Sequence, residues 1–144
     1  MRTVVQRVSE ACVRVDEKTV GEIGRGLLVL VAFGPEDREE DLEWISEKLW
    51  GLRIFGDEAG RMNRSVDEVD GAILLVSQFT LYGDAARGRR PSFAGAAPPE
   101  QAKGLYDRLV QICGKRGTVA EGRFGAMMEV ESVNDGPVTL ILER

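Results

Sequence analysis

Leu27-Leu28-Val29-Leu30-Val31-Ala32-Phe33, closed by Gly34-Pro35, is an unbroken apolar run without polar alternation. A strand buried on both faces reads this way. A second run of the same kind covers residues 72–76. Between the two, residues 36–52 carry Leu42, Ile45, Leu49 and Leu52 at helical spacing, one apolar stripe of an amphipathic helix. The acids Glu36, Asp37, Glu39, Glu40 and Asp41 gather in its first turns, where the helix dipole favours negative charge. Residues 100–113 predict a second helix with Ala102, Leu105, Leu109 and Cys113 on one face, ended by Gly114 and Gly117. Upstream, residues 3–8 and 13–15 are rich in β-branched side chains, and Asp16-Glu17-Lys18 reads as a turn into a strand at 19–23. Residues 54–62, with Gly56 and Gly60, read as a short strand and turn. Residues 118–121, 127–133 and 138–142 predict three closing strands. The order is one mixed α/β domain spanning residues 1–144.

A chain of 144 residues suits one domain, able to bury about 68–70% of its unfolded surface. Its net charge is -5, from 19 basic and 24 acidic residues, and it contains no histidine. That excludes Ser-His-Asp and Cys-His hydrolysis, imidazole proton shuttles and His-ligated metals. Cys12 and Cys113 stand far apart and form no C-x-x-C pair, so a zinc site or disulfide framework is not expected. Two free thiols suit a reducing cytosol. The opening residues lack a signal-peptide core, and no apolar run approaches the ~18 residues of a membrane span. A cytoplasmic protein without metal, cofactor or membrane partner is expected.

Familiar motifs fail on inspection. Gly21, Gly24 and Gly26 run in the reverse order of a dinucleotide fingerprint, and Gly114-Lys115 has Leu109 where a phosphate loop needs glycine. Ser77 lacks the glycines of a nucleophile elbow. Two polar stretches remain. Ser77-Gln78-Phe79-Thr80-Leu81 continues the buried run at 72–76; as a strand it would point Gln78 and Thr80 one way, Ser77 and Phe79 the other. It is either a strand leaving the core or a cluster of donors at a site. Asn134-Asp135-Gly136-Pro137 reads most simply as a hairpin turn, although the proline removes a ladder donor just before the next strand. Residues 83–99 form a long loop carrying Arg87, Arg89 and Arg90, either solvated or a local phosphate contact. The acidic net charge argues against broad nucleic-acid binding.

The same stretches carry a resemblance. Ser77-Gln78-Phe79-Thr80-Leu81 and Asn134-Asp135-Gly136-Pro137-Val138-Thr139 are similar to the two signature motifs of the D-aminoacyl-tRNA deacylases. The similarity extends from Met1-Arg2 and Val5-Gln6-Arg7-Val8 through Gly88-Arg89-Arg90-Pro91-Ser92-Phe93 to Gly122-Arg123-Phe124-Gly125-Ala126, essentially the whole chain. The resemblance implies a homodimer of three-layer α/β/β subunits with mixed, largely antiparallel sheets. It implies hydrolysis of the ester of D-aminoacyl-tRNA, and of mischarged glycyl-tRNA, as a proofreading step in translation. It places Gly136 and Pro137, in a cis dipeptide, in the partner subunit's pocket with their carbonyls facing the α-amino group, and Arg7 as the residue holding them. Rigid carbonyls leave room for hydrogen but not for an L side chain.

Catalysis on this reading rests on Ser77, Gln78, Phe79 and Thr80. Threonine is a weak nucleophile without a base, and the sequence offers none. The favoured account has the tRNA's 2′-hydroxyl assist attack, while the strand end supplies donors to the developing oxyanion. Two rivals are retained. One is a non-catalytic dimeric module binding nucleic-acid ends. The other is a thiol enzyme, disfavoured because Cys12 and Cys113 read as small core residues.

Overall fold

A computed structural model describes the chain from Met1 to Arg144. Strand β1 covers Arg2–Val15 without a break, where the sequence suggested two pieces. The reason is a change of buried face. Thr3 and Val5 are buried on one side of the sheet, Val8 on the other, and a register shift between Val8 and Glu10 keeps Ala11 and Val13 on the side of Val8. Alternation therefore breaks in mid-strand although the backbone stays extended. Asp16 and Glu17, at φ +50° and +63°, make a two-residue turn, and Lys18, expected in the turn, already opens β2, Lys18–Ile23.

Strand β3 covers Gly26–Ala32 and helix α1 Glu39–Gly51, three residues later than its acidic prelude suggested. A small hairpin pairs β4, Phe55–Gly56, with β5, Met62–Arg64. Then come β6, Ala72–Ser77; helix α2, Pro99–Gly114; β7, Val119–Glu121; and β8, Glu129–Glu143.

One edge of β1 carries β8 antiparallel along nearly its whole length. The other edge is shared by β3 at the N-terminal half and β2 at the C-terminal half. Beyond β3 lie β6 and β7, both in parallel pairings, so the sheet is mixed. The two apolar runs are buried on both faces as expected. Leu27, Val29, Val31, Ile73 and Leu75 pack with α1 and α2, including Leu42, Leu49, Trp50 and Leu109. Leu28, Leu74 and Val76 pack on the opposite side with Val8, Ala11, Val13 and Ile23. Tyr106 of α2 donates its hydroxyl to the Leu75 carbonyl at 2.8 Å, tying the helix to the strand that delivers Ser77. The result is a single α/β domain with a mixed sheet and two helices. No helix is long and apolar enough to cross a membrane.

Two sequence expectations are corrected. The polar tail of β6 is not a strand: after Ser77 the chain turns at Gln78 into a 3-10 turn, Phe79–Tyr82. Asn134 to Pro137 is not a hairpin turn either, because β8 runs through it, so the three closing strands are two.

Candidate active site

The strand end is positioned by the core behind it. Ser77 is the last residue of β6 to pair with β3, opposite Val31, and the Gln78 N–H still donates to the Val31 carbonyl at 2.8 Å. Beyond this the chain leaves the sheet, and the 3-10 turn exposes Phe79 and Thr80. The first N–H groups of such a turn have no carbonyl acceptor within it, so those of Phe79 and Thr80 are available as donors. The Gln78 side-chain amide donates to Thr80 Oγ1. An amide nitrogen is no base, so Thr80 keeps its own proton, and that proton can be donated to a substrate oxygen. Phe79, 60% exposed, packs edge-on against Phe93 at 5.1 Å between centroids. Below the turn, the Arg2 guanidinium donates to the Leu81 carbonyl at 3.1 Å and lies over the Tyr82 ring. Burial pushes the Tyr82 phenol above its ordinary pKa, so Tyr82 is not a general base near neutral pH.

The second stretch forms a bulge in β8. Gln6 pairs with Thr139 and Val8 with Asn134, so Arg7 alone stands opposite residues 135–138. Gly136 takes φ +119°, a region that favours glycine, and the Gly136-Pro137 peptide is cis. Arg7 closes over the bulge. Its Nε donates to the Asp135 carbonyl at 3.2 Å and pairs with the Asp135 carboxylate at 3.1 Å, while Nη1 donates to the Ile54 carbonyl. Asn134 braces its C-terminal end: its Oδ1 accepts from the Val138 N–H at 3.2 Å and its Nδ2 donates to Thr139 Oγ1 at 2.9 Å. Gly136 and Pro137 are left exposed.

Within one chain the two stretches stay apart. Arg7 is in register with Leu27 and Ile73, whereas Ser77 is in register with Val31 and Thr3. Four residues of strand, about 13 Å, separate the two levels, and the turn holding Thr80 reaches Arg2, at the end of β1 away from Arg7, through the Leu81 carbonyl.

The sequence itself matches a known family. The D-Tyr-tRNA(Tyr) deacylase family model matches residues 4–143. The chain is a member of that family. A D-aminoacyl-tRNA deacylase from Thermotoga petrophila is 59% identical over 99% of this chain and 97% of its own length. A solved structure named c-Myc DNA Unwinding Element Binding Protein is 41% identical, with a TM-score of 0.94 over 100% of this chain and 99% of that one. A solved structure of a "probable eukaryotic D-amino acid tRNA deacylase" shares the fold, with a TM-score of 0.81 at 23% identity over 98% of this chain and 97% of that one.

Within this deacylase family member, the sequence reading missed the residues that brace the site rather than face it. Asn134 and Phe93 stand out in the sequence only as parts of motifs. The Ile54 carbonyl carries no side-chain signal at all. Only the position of Asn134, four residues before the Val138 N–H it accepts from, hints at a local brace. The thiols play no part in the site. Cys113 is fully buried, and burial pushes its thiol up; Cys12 is half-buried on β1, with the Glu131 carboxylate 3.9 Å away. No group of three or more Cys, Asp or Glu side chains is gathered as a metal site would require.

Proposed function

We propose that the protein hydrolyses the ester joining a D-amino acid, or mischarged glycine, to the 3′ end of tRNA, rejects L-aminoacyl-tRNA, and works as a homodimer in the cytoplasm. The observation that carries this reading is the Gly136-Pro137 bulge, presented outward by Arg7 and Asn134 yet remote from Thr80 in its own chain. Apposition of the two stretches calls for a second copy. Exposed Val133 and Ile141 on β8 supply apolar surface for one. Each subunit is then read as three layers, with α1 and α2 over the β3–β6–β7 sheet and the curled β1, β2 and β8 segments beneath.

In the site, Gly136 and Pro137 of the partner subunit face the α-amino group and the hydrogen on Cα. An L side chain would have to occupy the space of those carbonyls. Water adds to the ester carbonyl with assistance from the adjacent 2′-hydroxyl. The bond to the ribose 3′-oxygen breaks, and the proton released from water ends on that oxygen. Ser77, Gln78, Phe79 and Thr80 surround the carbonyl, the turn N–H groups and Thr80 hydroxyl donating to the developing oxyanion. The test is hydrolysis of D-, L- and glycyl-tRNA by purified protein, with and without a chelator. Release from the D and glycyl substrates only, unaffected by chelation, is expected; equal rates on the L substrate would refute the reading. The solved relative named for DNA-element binding favours a second reading, a nucleic-acid-end module without turnover. Absence of hydrolysis with retained RNA binding would select it.

A further inference from the structure

Most arginines of this acidic chain are engaged. Arg2, Arg7, Arg14, Arg108, Arg116 and Arg144 are in ion pairs, while Arg53 and Arg64 bond to neighbouring chain oxygens. Arg61 and Arg123 stand singly without such partners, whereas Arg87, Arg89 and Arg90 are unpaired and clustered within four residues. All three are exposed, and none forms an ion pair or a side-chain hydrogen bond. Residues 85–99 contain these three cations and no acid, against a net charge of -5 for the whole chain. Three unpaired like charges within four residues repel one another, so this concentration does not stabilise the fold.

The loop that carries them is anchored to the candidate active site. Asp84 and Ser92 exchange two main-chain hydrogen bonds at 2.8 Å each, which closes the base of the loop immediately after the 3-10 turn holding Thr80. Phe93, next to that closure, packs on Phe79. At the tip Gly88 takes φ +97°, turning the chain between Arg87 and Arg89. The arginines therefore project from a tethered loop beside the residues that would face the ester.

We infer that Arg87, Arg89 and Arg90 form a phosphate-binding clamp for the single-stranded RNA leading into the 3′ terminus. The inference rests on the proposed RNA-directed function and names how that partner is held. An aminoacyl ester seated at Thr80 forces the preceding nucleotides out across the rim of the site, and guanidinium groups match phosphate oxygens in bidentate geometry. Contacts confined to a few phosphates are compatible with an acidic protein, because they need only a local positive field.

The test uses RNA carrying no amino acid, so it does not depend on hydrolysis. A fluorescein-labelled RNA hairpin with an unpaired 3′ CCA tail is titrated with wild type, with R87Q/R89Q/R90Q, and with K18Q/R61Q/K115Q. The last removes the same charge from exposed positions elsewhere. With three phosphate contacts at a salt exponent of ~0.7 each, wild type should lose about 20-fold more affinity than the loop variant between 50 and 200 mM salt. The control should keep the wild-type slope. Equal slopes in wild type and loop variant, or equal flattening in loop variant and control, would overturn the clamp. Failure to hydrolyse D-aminoacyl-tRNA would instead overturn the proposed function and leave the binding result standing.

Discussion

Thr80 has one side-chain partner, the Gln78 amide, and that partner donates. A hydroxyl so placed is suited to hydrogen bonding rather than to attack. Thr80→Val should therefore lower deacylation by at most the ~10²–10³ typical of one oxyanion donor, while a tRNA with a 2′-deoxy terminal ribose should be nearly inert. Single-turnover rates on the two substrates check this; an aminoacyl ester trapped on Thr80 would reverse the assignment. Gly136 is constrained twice. A Cβ there would lie 2.6 Å from Arg7 Nη2 and 3.1 Å from Val138 Cγ2, at a φ of +119°. Gly136→Val should cost roughly 1–3 kcal/mol of stability from backbone strain. It should also cost about 10²-fold or more in activity, the effect of displacing a reacting geometry by an ångström. Denaturant melts and deacylation rates on the same preparation separate the two effects.

Helix α1 shows how an element is held in place. The Asp41 carboxylate accepts from the Arg38 N–H at 2.9 Å, one half of a capping box, and Arg144 pairs with its other oxygen at 2.7 Å. The Arg38 N–H first, and Arg144 second, hold the Asp41 carboxyl below its ordinary pKa. The folded state therefore binds fewer protons there than the unfolded state, so this stabilisation is complete above the ordinary carboxylate range and is lost as pH falls through the folded pKa. Asp41→Asn should cost about 0.3–1.5 kcal/mol at neutral pH, with the gap closing in acid. Urea midpoints across an acid series measure it; a gap independent of pH would contradict the assignment. The β8 bulge is the other instructive element. Glycine and proline in Asn134-Asp135-Gly136-Pro137 signalled a departure from regular strand. Whether it was a turn or a bulge depended on β1, whose unbroken edge keeps pairing on both sides of it.

At the scale of the molecule, the question is whether Gly136-Pro137 acts on its own chain's Thr80 or on a neighbour's. Mixing Thr80→Val and Gly136→Val proteins, unfolding them together and refolding them distinguishes the cases. Action in trans should restore roughly a quarter of the wild-type rate, because random pairing makes half the dimers mixed and each has one intact site. Action in cis predicts no recovery. Light scattering on the refolded mixture reports whether dimers are present.

The apolar runs at 27–33 and 72–76, the two amphipathic helices and the absence of histidine were legible in the chain itself, because each is a property of local spacing or composition. Resemblance to a family singled out Ser77, Gln78, Phe79, Thr80 and the stretch around Gly136 as candidates for the site. Tertiary structure alone decided that β1 and β8 are continuous strands, since register shifts break the alternation that a sequence reading follows. It also decided that the tail of β6 turns at Gln78, where pairing with β3 ends, and that Arg7 holds the bulge at Asp135 and Asn134 at Val138. The continuity of β1 and β8 and the grip of Arg7 depend on pairing between residues 2–15 and 129–143, at opposite ends of the chain, and the turn at Gln78 on pairing between β3 and β6. Hydrogen bonds over that separation leave no periodic mark on either stretch, so only the folded chain could reveal them.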